Sequence, residues 1–359
     1  MCRTRKKRVT ILYTADEHGW FVESPNADGA AGMMQIWKEK EGFSHEADSF
    51  LVLSGGDMWM GASASTWFKG QSMFEIMNVM GYDAVAVGNH EFDFSLDTLK
   101  ARAERSPFPY LAANIIDENG EVPSFLKPYY IVEANGVKVG LLGLANVETP
   151  FSTLPDAVKG LKFAPYDEII KKYVPEIKKN GADVVIVLGH ICKTEMLGLT
   201  ALAAELNIPL ITGGHCHDEF VQEQDGVLMI ETLPFLTSYI KVVMEYDSKT
   251  KKTSILSYEI VKNMTETRDD KIGNLVEKWK NEANLSLSLP IGHTDKVIQQ
   301  WSQPMYDLIM KSWILHFPDA DLFITNQGSI RQNIEKGDKC PSFLFICDFA
   351  ILQRSQKAL

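Results

Sequence analysis

Over the first 220 residues, apolar and polar positions alternate between two kinds of segment. Short apolar runs at 9–13, 50–53, 84–87, 184–188 and 209–212 each end close to a glycine or an acidic residue, the pattern of strands buried on both faces. Between them, apolar positions at helical spacing predict helices over 30–40, 72–80, 96–105, 166–179 and 194–206. Strands alternating with amphipathic helices indicate βαβ units with helices covering the sheet faces. After residue 216 the pattern changes to strands without helices, at 227–231, 238–246 and 252–261, and the run 137–143 after the Asn135-Gly136 turn has the same character. The expectation is an α/β fold: two sheets packed as a sandwich, with the loops past the strand ends gathered along one edge.

A charged stretch with helical patterning, 265–286, reads as a helix leading out of this first unit. Beyond it a smaller unit begins, with a helix expected over 305–316 and a strand over 321–325. The run 340–352 is apolar without strand or helix period. The boundaries expected are a first domain over 1–262, a linker helix over 263–289 and a partial second domain over 290–359. A chain of 359 residues is long for a single core.

Composition narrows the partners. A net charge of −11 and the lack of a basic face argue against nucleic acid, and the basic cluster at 3–8 reads as a solvated tail. Five cysteines without repeated spacing do not form a disulfide framework. No apolar stretch approaches the roughly 20 residues that span a bilayer. The basic start followed by an apolar run is too short for a leader and is ended by Asp16 and Glu17. A cytoplasmic protein and one written from a point past a removed leader, hence periplasmic or at the cell surface, are both open. The oligomeric state is not legible.

The chemistry lies past the strand ends. Five motifs stand there: Asp16-Glu17-His18-Gly19, Gly56-Asp57, Gly88-Asn89-His90-Glu91-Phe92-Asp93, Gly189-His190 and Gly214-His215-Cys216-His217. Asp16 and His18 are two apart, so an extended strand end would point both to one side. Asp57 adds a second carboxylate, Asn89 a neutral carbonyl oxygen, and His190, His215 and His217 imidazole nitrogens. Mixed imidazole and carboxylate donors suit zinc, manganese or iron and disfavour calcium. Seven ligands are too many for one ion in four- or five-fold coordination and fit two ions sharing a carboxylate. Two metals roughly 3.5–4 Å apart generate a bridging hydroxide and stabilise in-line displacement at phosphorus. Cys216 lies between two of these ligands, but alternation along an extended segment points it away, so it and Cys192 read as buried structural cysteines. Trp59, Met60, Trp67 and Phe68 follow Gly56-Asp57 and read as core packing.

The chain resembles the calcineurin-like metallophosphoesterases, and within them the 5′-nucleotidases of the bifunctional type that also hydrolyse UDP-sugars and 2′,3′-cyclic phosphodiesters. The resemblance is carried by all five motifs in family order, strongly over 8–260 and weakly over 290–336. It implies a four-layer α-β-β-α sandwich followed by a partial smaller α/β domain. By the family's pattern, Asp16, His18, Asp57 and His217 would hold the first metal. Asp57 would bridge to a second, completed by Asn89, His190 and His215. The ions expected are two divalent cations, Mn²⁺ or Zn²⁺ first, with iron and cobalt as further candidates. His90 would touch the phosphoryl oxygens and assist the leaving group, with Asp93 orienting its ring. Asn114 would support the site from behind. In Asn326-Gln-Gly-Ser-Ile-Arg331, Asn326 and Arg331 match a family stretch and are the candidate substrate contacts.

The resemblance thins further on. The arginine and glutamate the family carries after the Gly292-His293 region are replaced by Gln299-Gln-Trp-Ser-Gln-Pro, and no aromatic pair for a base is evident, so the second domain reads as truncated, frameshifted or natively short. The function expected is metal-dependent hydrolysis of a small phosphoester, a nucleotide above all, as a 5′-nucleotidase-like hydrolase. The rivals are a phosphodiesterase or UDP-sugar hydrolase on the same metals, cleavage of a thiosulfonate bond, and an inactive metal-binding remnant.

Overall fold

The computed structural model describes residues 6–290, 292–320, 322–323, 330 and 333–339. Its main strands are β1 Lys6–Thr14, β2 Phe50–Ser54, β3 Ala84–Ala86, β4 Tyr110–Leu111, β5 Ile115–Ile116, β6 Tyr129–Ala134, β7 Val137–Leu144, β8 Lys162–Phe163, β9 Val184–Gly189, β10 Leu210–Thr212, β11 Phe220–Gln224, β12 Val227–Glu231, β13 Ser238–Asp247 and β14 Lys252–Lys262. The helices are α1 Gly29–Ile36, α2 Ser63–Trp67, α3 Gln71–Met80, α4 Leu96–Arg105, α5 Thr149–Ser152, α6 Tyr166–Lys179, α7 Lys193–Glu205, α8 Asp270–Leu287 and α9 Gln303–His316.

Among the described residues, two six-stranded sheets carry the architecture, in the orders β14-β13-β1-β2-β3-β4 and β11-β12-β10-β9-β7-β6. In the first, β1, β2, β3 and β4 run parallel, with β13 antiparallel to β1. In the second, β7, β9, β10 and β12 run parallel, and β6 and β11 close the edges antiparallel.

Two-residue alternation sorts the side chains of each strand between two cores. Val9, Ile11 and Tyr13 of β1 and Val184, Ile186 and Leu188 of β9 meet in the layer between the sheets. Leu12 faces the helices α1, α3 and α8, represented by Met33, Ile76 and Val276. Val185 and Val187 face α6 and α7, represented by Ile170, Ile177 and Met196. The result is the expected α-β-β-α sandwich. Helix α6 shows why the pattern was readable: Ile169, Ile170, Tyr173, Val174 and Ile177 are its buried positions, a single stripe at helical spacing.

The differences from expectation have local causes. Strands β6 and β11 lie at sheet edges and are mostly half-buried; β11 mixes apolar and polar residues, while the apolar run 129–132 makes β6 a strand that the expected pattern did not include. Lys6 and Arg8 belong to β1 rather than to a solvated tail, and both pair with Glu245, at 2.6 and 3.3 Å. The helix expected from 265 starts at Asp270, because the Asp269 carboxylate accepts from Ile272 N at 2.8 Å and caps it. Its Ile272, Val276 and Trp279 pack into the core beneath the first sheet. Further along, Met305, Ile309 and Trp313 of α9 pack with Ile330. Asn326, Arg331, most of the strand expected over 321–325 and the run 340–352 lie outside the described residues.

The sheets approach closely at Gly143 on β7, where a Cβ would lie 2.4 Å from both the carbonyl carbon and the Cβ of Leu111. Gly143→Ala should therefore cost about 1–3 kcal/mol from overpacking and lower the thermal midpoint. An unchanged midpoint would show that the sheets separate freely there.

Candidate metal centre

Parallel strands in both sheets deliver the motifs to one edge. Asp16 and His18 follow β1, Asp57 follows β2, and Asn89 and His90 follow β3; His190 follows β9, and His215 and His217 follow β10. Sequence alone suggested extended backbone at these ends, but the chain turns sharply there. Asp16, His18, Asp57, His215 and His217 all have left-handed φ, between +47° and +79°. Non-glycine residues hold that conformation where their surroundings fix it, and such positions concentrate at functional sites.

Part of what fixes it is Glu91, a residue the sequence reading gave no role. Its buried carboxylate accepts from the backbone N–H groups of Asp57 (2.8 Å), Met58 (2.8 Å) and Gly88 (2.7 Å). It thus ties the loop after β2 to the loop after β3. Burial, with the neighbouring Asp57 charge, pushes its carboxyl up to about 7. In turn, Asp57 Oδ1 accepts from His90 N at 2.8 Å.

Of the three donor groups among the described residues whose ligating atoms lie within 4.8 Å of one another, two combine both sheets and form the candidate clusters: Asp16, His18 and His217; and Asp57, His190 and His215. In the first, the Nε2 atoms of His18 and His217 are 3.0 Å apart, and His217 Nε2 is 3.5 Å from Asp16 Oδ1. In the second, His190 Nε2 is 3.1 Å from Asp57 Oδ2. Each cluster draws on both sheets. His90 also lies within reach of His18 and Asp57.

The ring tautomers are set from behind. His18 Nδ1–H donates to Met60 O (2.7 Å) and His190 Nδ1–H to Gly55 O (2.8 Å). A carbonyl only accepts, so Nε2 of each neutral ring presents its lone pair to the centre, as metal-binding histidines do. Asn89 Nδ2 donates to Ser152 O at 3.3 Å, while its buried Oδ1 has no hydrogen-bond partner. His190 Nε2 is likewise buried and, despite its closeness to Asp57, is out of line for a hydrogen bond. An orphaned amide oxygen and an orphaned imidazole nitrogen beside carboxylates fit a divalent cation, which needs such lone pairs and no hydrogens.

Electrostatics agree with a cation site. Burial opposes ionisation of Asp57, but the neighbouring His190 and His90 outweigh it and hold the carboxyl well below its usual range. Burial also works against the charged form of His190, and Asp57 overcomes it, pushing His190 up to about 10. Burial, reinforced by His190, lowers His215. Glu17, although between two candidate ligands, turns the other way: it accepts from the hydroxyls of Thr14 and Ser54, and burial pushes it up to about 8.

Beside the clusters, His90 Nδ1–H donates to Asp93 Oδ2 at 2.6 Å, and Asp93 Oδ1 accepts from Thr153 Oγ1 at 3.1 Å. Asn114 bonds both ways with the backbone of Ala145, at 2.7 and 2.8 Å, at the head of the loop that carries Ser152 and Thr153. Trp59 is buried in the helix-side core, whereas Trp67 is 44% exposed. The cysteines overturn expectation. Cys192 and Cys216 form a disulfide, with Cα atoms 5.4 Å apart, Cys192 half-buried and Cys216 exposed. Alternation does not hold at Cys216 because both its neighbours are left-handed.

Residues 9–219 match the calcineurin-like phosphoesterase family, and the chain belongs to it: a hydrolytic enzyme of a family that uses divalent metals. The chain is also similar to several individual proteins. A 5′-nucleotidase of Vibrio cholerae serotype O1 is 26% identical over 389 residues, covering 92% of this chain and 69% of that protein. Protein UshA of Yersinia enterocolitica is 23% identical, with 92% and 70% covered. In fold, the chain is similar to a 5′-nucleotidase precursor from Thermus thermophilus, with a TM-score of 0.75 at 19% identity over 95% of this chain and 73% of that one. The NAD nucleotidase NadN of Haemophilus influenzae gives a TM-score of 0.69 at 19% identity, over 95% and 74%.

Two substitutions test this arrangement. In Gly88→Ala the new Cβ would lie 2.1 Å from Asp57 Oδ1, so metal affinity should fall about 10–100-fold, as when a supporting partner is lost. Unchanged affinity by calorimetric titration would mean that Asp57 is not placed by this contact. Glu91→Gln sets an amide NH₂ against backbone donors and should lower the denaturant stability of the chelated protein by about 3 kcal/mol. Stability equal to the parent would remove Glu91 from this role.

Proposed function

We propose that this chain is a two-metal phosphomonoesterase acting on nucleotides in the manner of a 5′-nucleotidase. The observation that carries the reading is the pair of donor clusters set side by side next to a carboxylate-oriented histidine. Asp16, His18, Asp57 and His217 would hold one cation, and Asp57, Asn89, His190 and His215 the other. Mn²⁺ or Zn²⁺ suits the mixed nitrogen and oxygen donors. Two such ions supply positive charge to the phosphoryl oxygens and activate water for displacement at phosphorus.

The chain's own residues do the rest. The carbonyls of Met60 and Gly55 keep His18 and His190 in the tautomer that offers Nε2. Asp93 holds Nδ1–H of His90 and favours its imidazolium, so that Nε2–H can be given to the departing ester oxygen; Thr153 in turn holds Asp93. General-acid help of this kind is worth roughly 10²–10⁴-fold. The nucleotide preference rests on the relatives, together with Asn326 and Arg331 as the proposed substrate contacts. On this reading the chemistry belongs to residues 1–262 and substrate selection to 290–359, joined through 263–289.

The test is phosphate release from AMP, UDP-glucose and bis(p-nitrophenyl) phosphate after chelation and return of Mn²⁺ or Zn²⁺. Metal-restored turnover with AMP preferred is the expected result, and preference for the diester or the sugar nucleotide replaces the nucleotidase reading with those activities. Silence on all three from folded protein that takes up metal overturns it. His90→Ala should cut turnover of AMP by about 10²–10⁴-fold with metal content near that of the parent. Loss of metal in that variant would make His90 a ligand instead.

A further inference from the structure

We propose that the Cys192–Cys216 disulfide is a positioning clamp for the metal centre, holding His215 and His217 where two cations require them and releasing them when reduced. The inference rests on the two-metal reading above.

The bridge sits among the candidate ligands. Cys192 is two residues past His190, and Cys216 separates His215 from His217. Those two histidines belong to different clusters, so one short loop contributes a ligand to each ion. Both have left-handed φ, +79° at His215 and +58° at His217, a backbone that relaxes unless it is held.

Beyond the side-chain contacts of His217 with His18 (3.0 Å) and Asp16 (3.5 Å), the backbone bonds that hold it are few. His215 N donates to the Asp16 carboxylate at 3.0 and 3.2 Å, and Asp218 N to Glu231 Oε1 at 3.2 Å. The first of these acceptors is itself a candidate ligand, so a cation would compete for its electrons. Gly214 N donates to Ile191 O at 3.1 Å, but that bond lies ahead of both histidines. The covalent bond at Cys216 is the anchor between them.

The other end of the bridge is firm. Cys192 precedes α7, and its N–H donates to Glu195 Oε2 at 2.8 Å; Glu195 also accepts from Tyr166 Oη at 2.7 Å and Asn146 Nδ2 at 3.4 Å. The strands leading to the two cysteines, β9 and β10, are already paired, Ile211 with Val187 and Thr212 with Leu188. Strand pairing therefore does not need the disulfide, whereas the ligand loop does. Cys216 is exposed, so a reductant can reach the bridge.

A water-soluble trialkylphosphine is a suitable reductant. Phosphorus attacks one sulfur and the S–S bond breaks. Water then gives its oxygen to phosphorus, forming the phosphine oxide, and its two hydrogens to the sulfurs, forming two thiols. The experiment titrates Mn²⁺ into the full chain, oxidised and phosphine-reduced, and follows affinity and stoichiometry by calorimetry and fold by far-UV circular dichroism.

The expected result is two Mn²⁺ bound in the oxidised chain and a loss of about 10–100-fold in affinity at both on reduction, the scale set by supporting partners of metal ligands, with the fold retained. The double variant Cys192→Ala with Cys216→Ala should reproduce the loss, which excludes interference by new thiols. Equal affinities in the reduced, folded chain overturn the clamp. So does unfolding of both the reduced chain and the double variant, which would make the bridge a staple of the fold. An oxidised chain that takes up no Mn²⁺ overturns the two-metal reading itself, and the clamp with it.

Discussion

One buried carboxylate anchors the geometry of the centre. Glu91 spans two loops by accepting three backbone N–H groups, and without it those donors would be buried and unpaired. Burying a carboxylate is costly unless its oxygens are fully bonded; here the bonds come from the residues that must be placed. Asp57 is thereby turned toward His190 while its own Oδ1 steadies His90. The ends of β2 and β3 thus depend on one side chain that is not itself a candidate ligand.

A second layer of restraint sets which atoms face the centre. Carbonyls of Gly55, Met60 and Ser152 each take a hydrogen from a candidate ligand, and in doing so expose a lone pair on the opposite side. These acceptors are backbone groups of two loops and a helix end, so the local fold defines protonation at the centre without recruiting further acids or bases. Charge follows the same logic. Burial opposes the charge on Asp57, but the neighbouring histidines hold it ionised, and a cation taking the His190 lone pair would supply that positive charge in place of a proton.

Much of this was legible in the sequence, and the limits have physical reasons. The candidate ligands are local features: a donor residue type directly after an apolar run, repeated at five strand ends. Helix α6 was legible from its single buried stripe, and the sandwich from strands apolar at successive positions. Glu91 escaped notice because two of its three partners lie 33 and 34 residues earlier, and only the fold joins them. The disulfide was missed for a sharper reason. Cys216 would face away only on an extended strand, and the left-handed turns at His215 and His217 remove that alternation. Edge strand β11 escaped because a half-exposed strand carries mixed composition.

The seam between the sheets carries one more implication. Each donor cluster takes side chains from both, so the separation of the layers is also the spacing of the ligands. Val9, Ile11, Ile186 and Leu188, none of them a candidate ligand, set that separation through their volumes. Natural variation in this apolar layer is then constrained twice, once by folding and once by ligand spacing, while the outer helices answer to folding alone. Sequence drift in this molecule should be slowest where side chains are most ordinary.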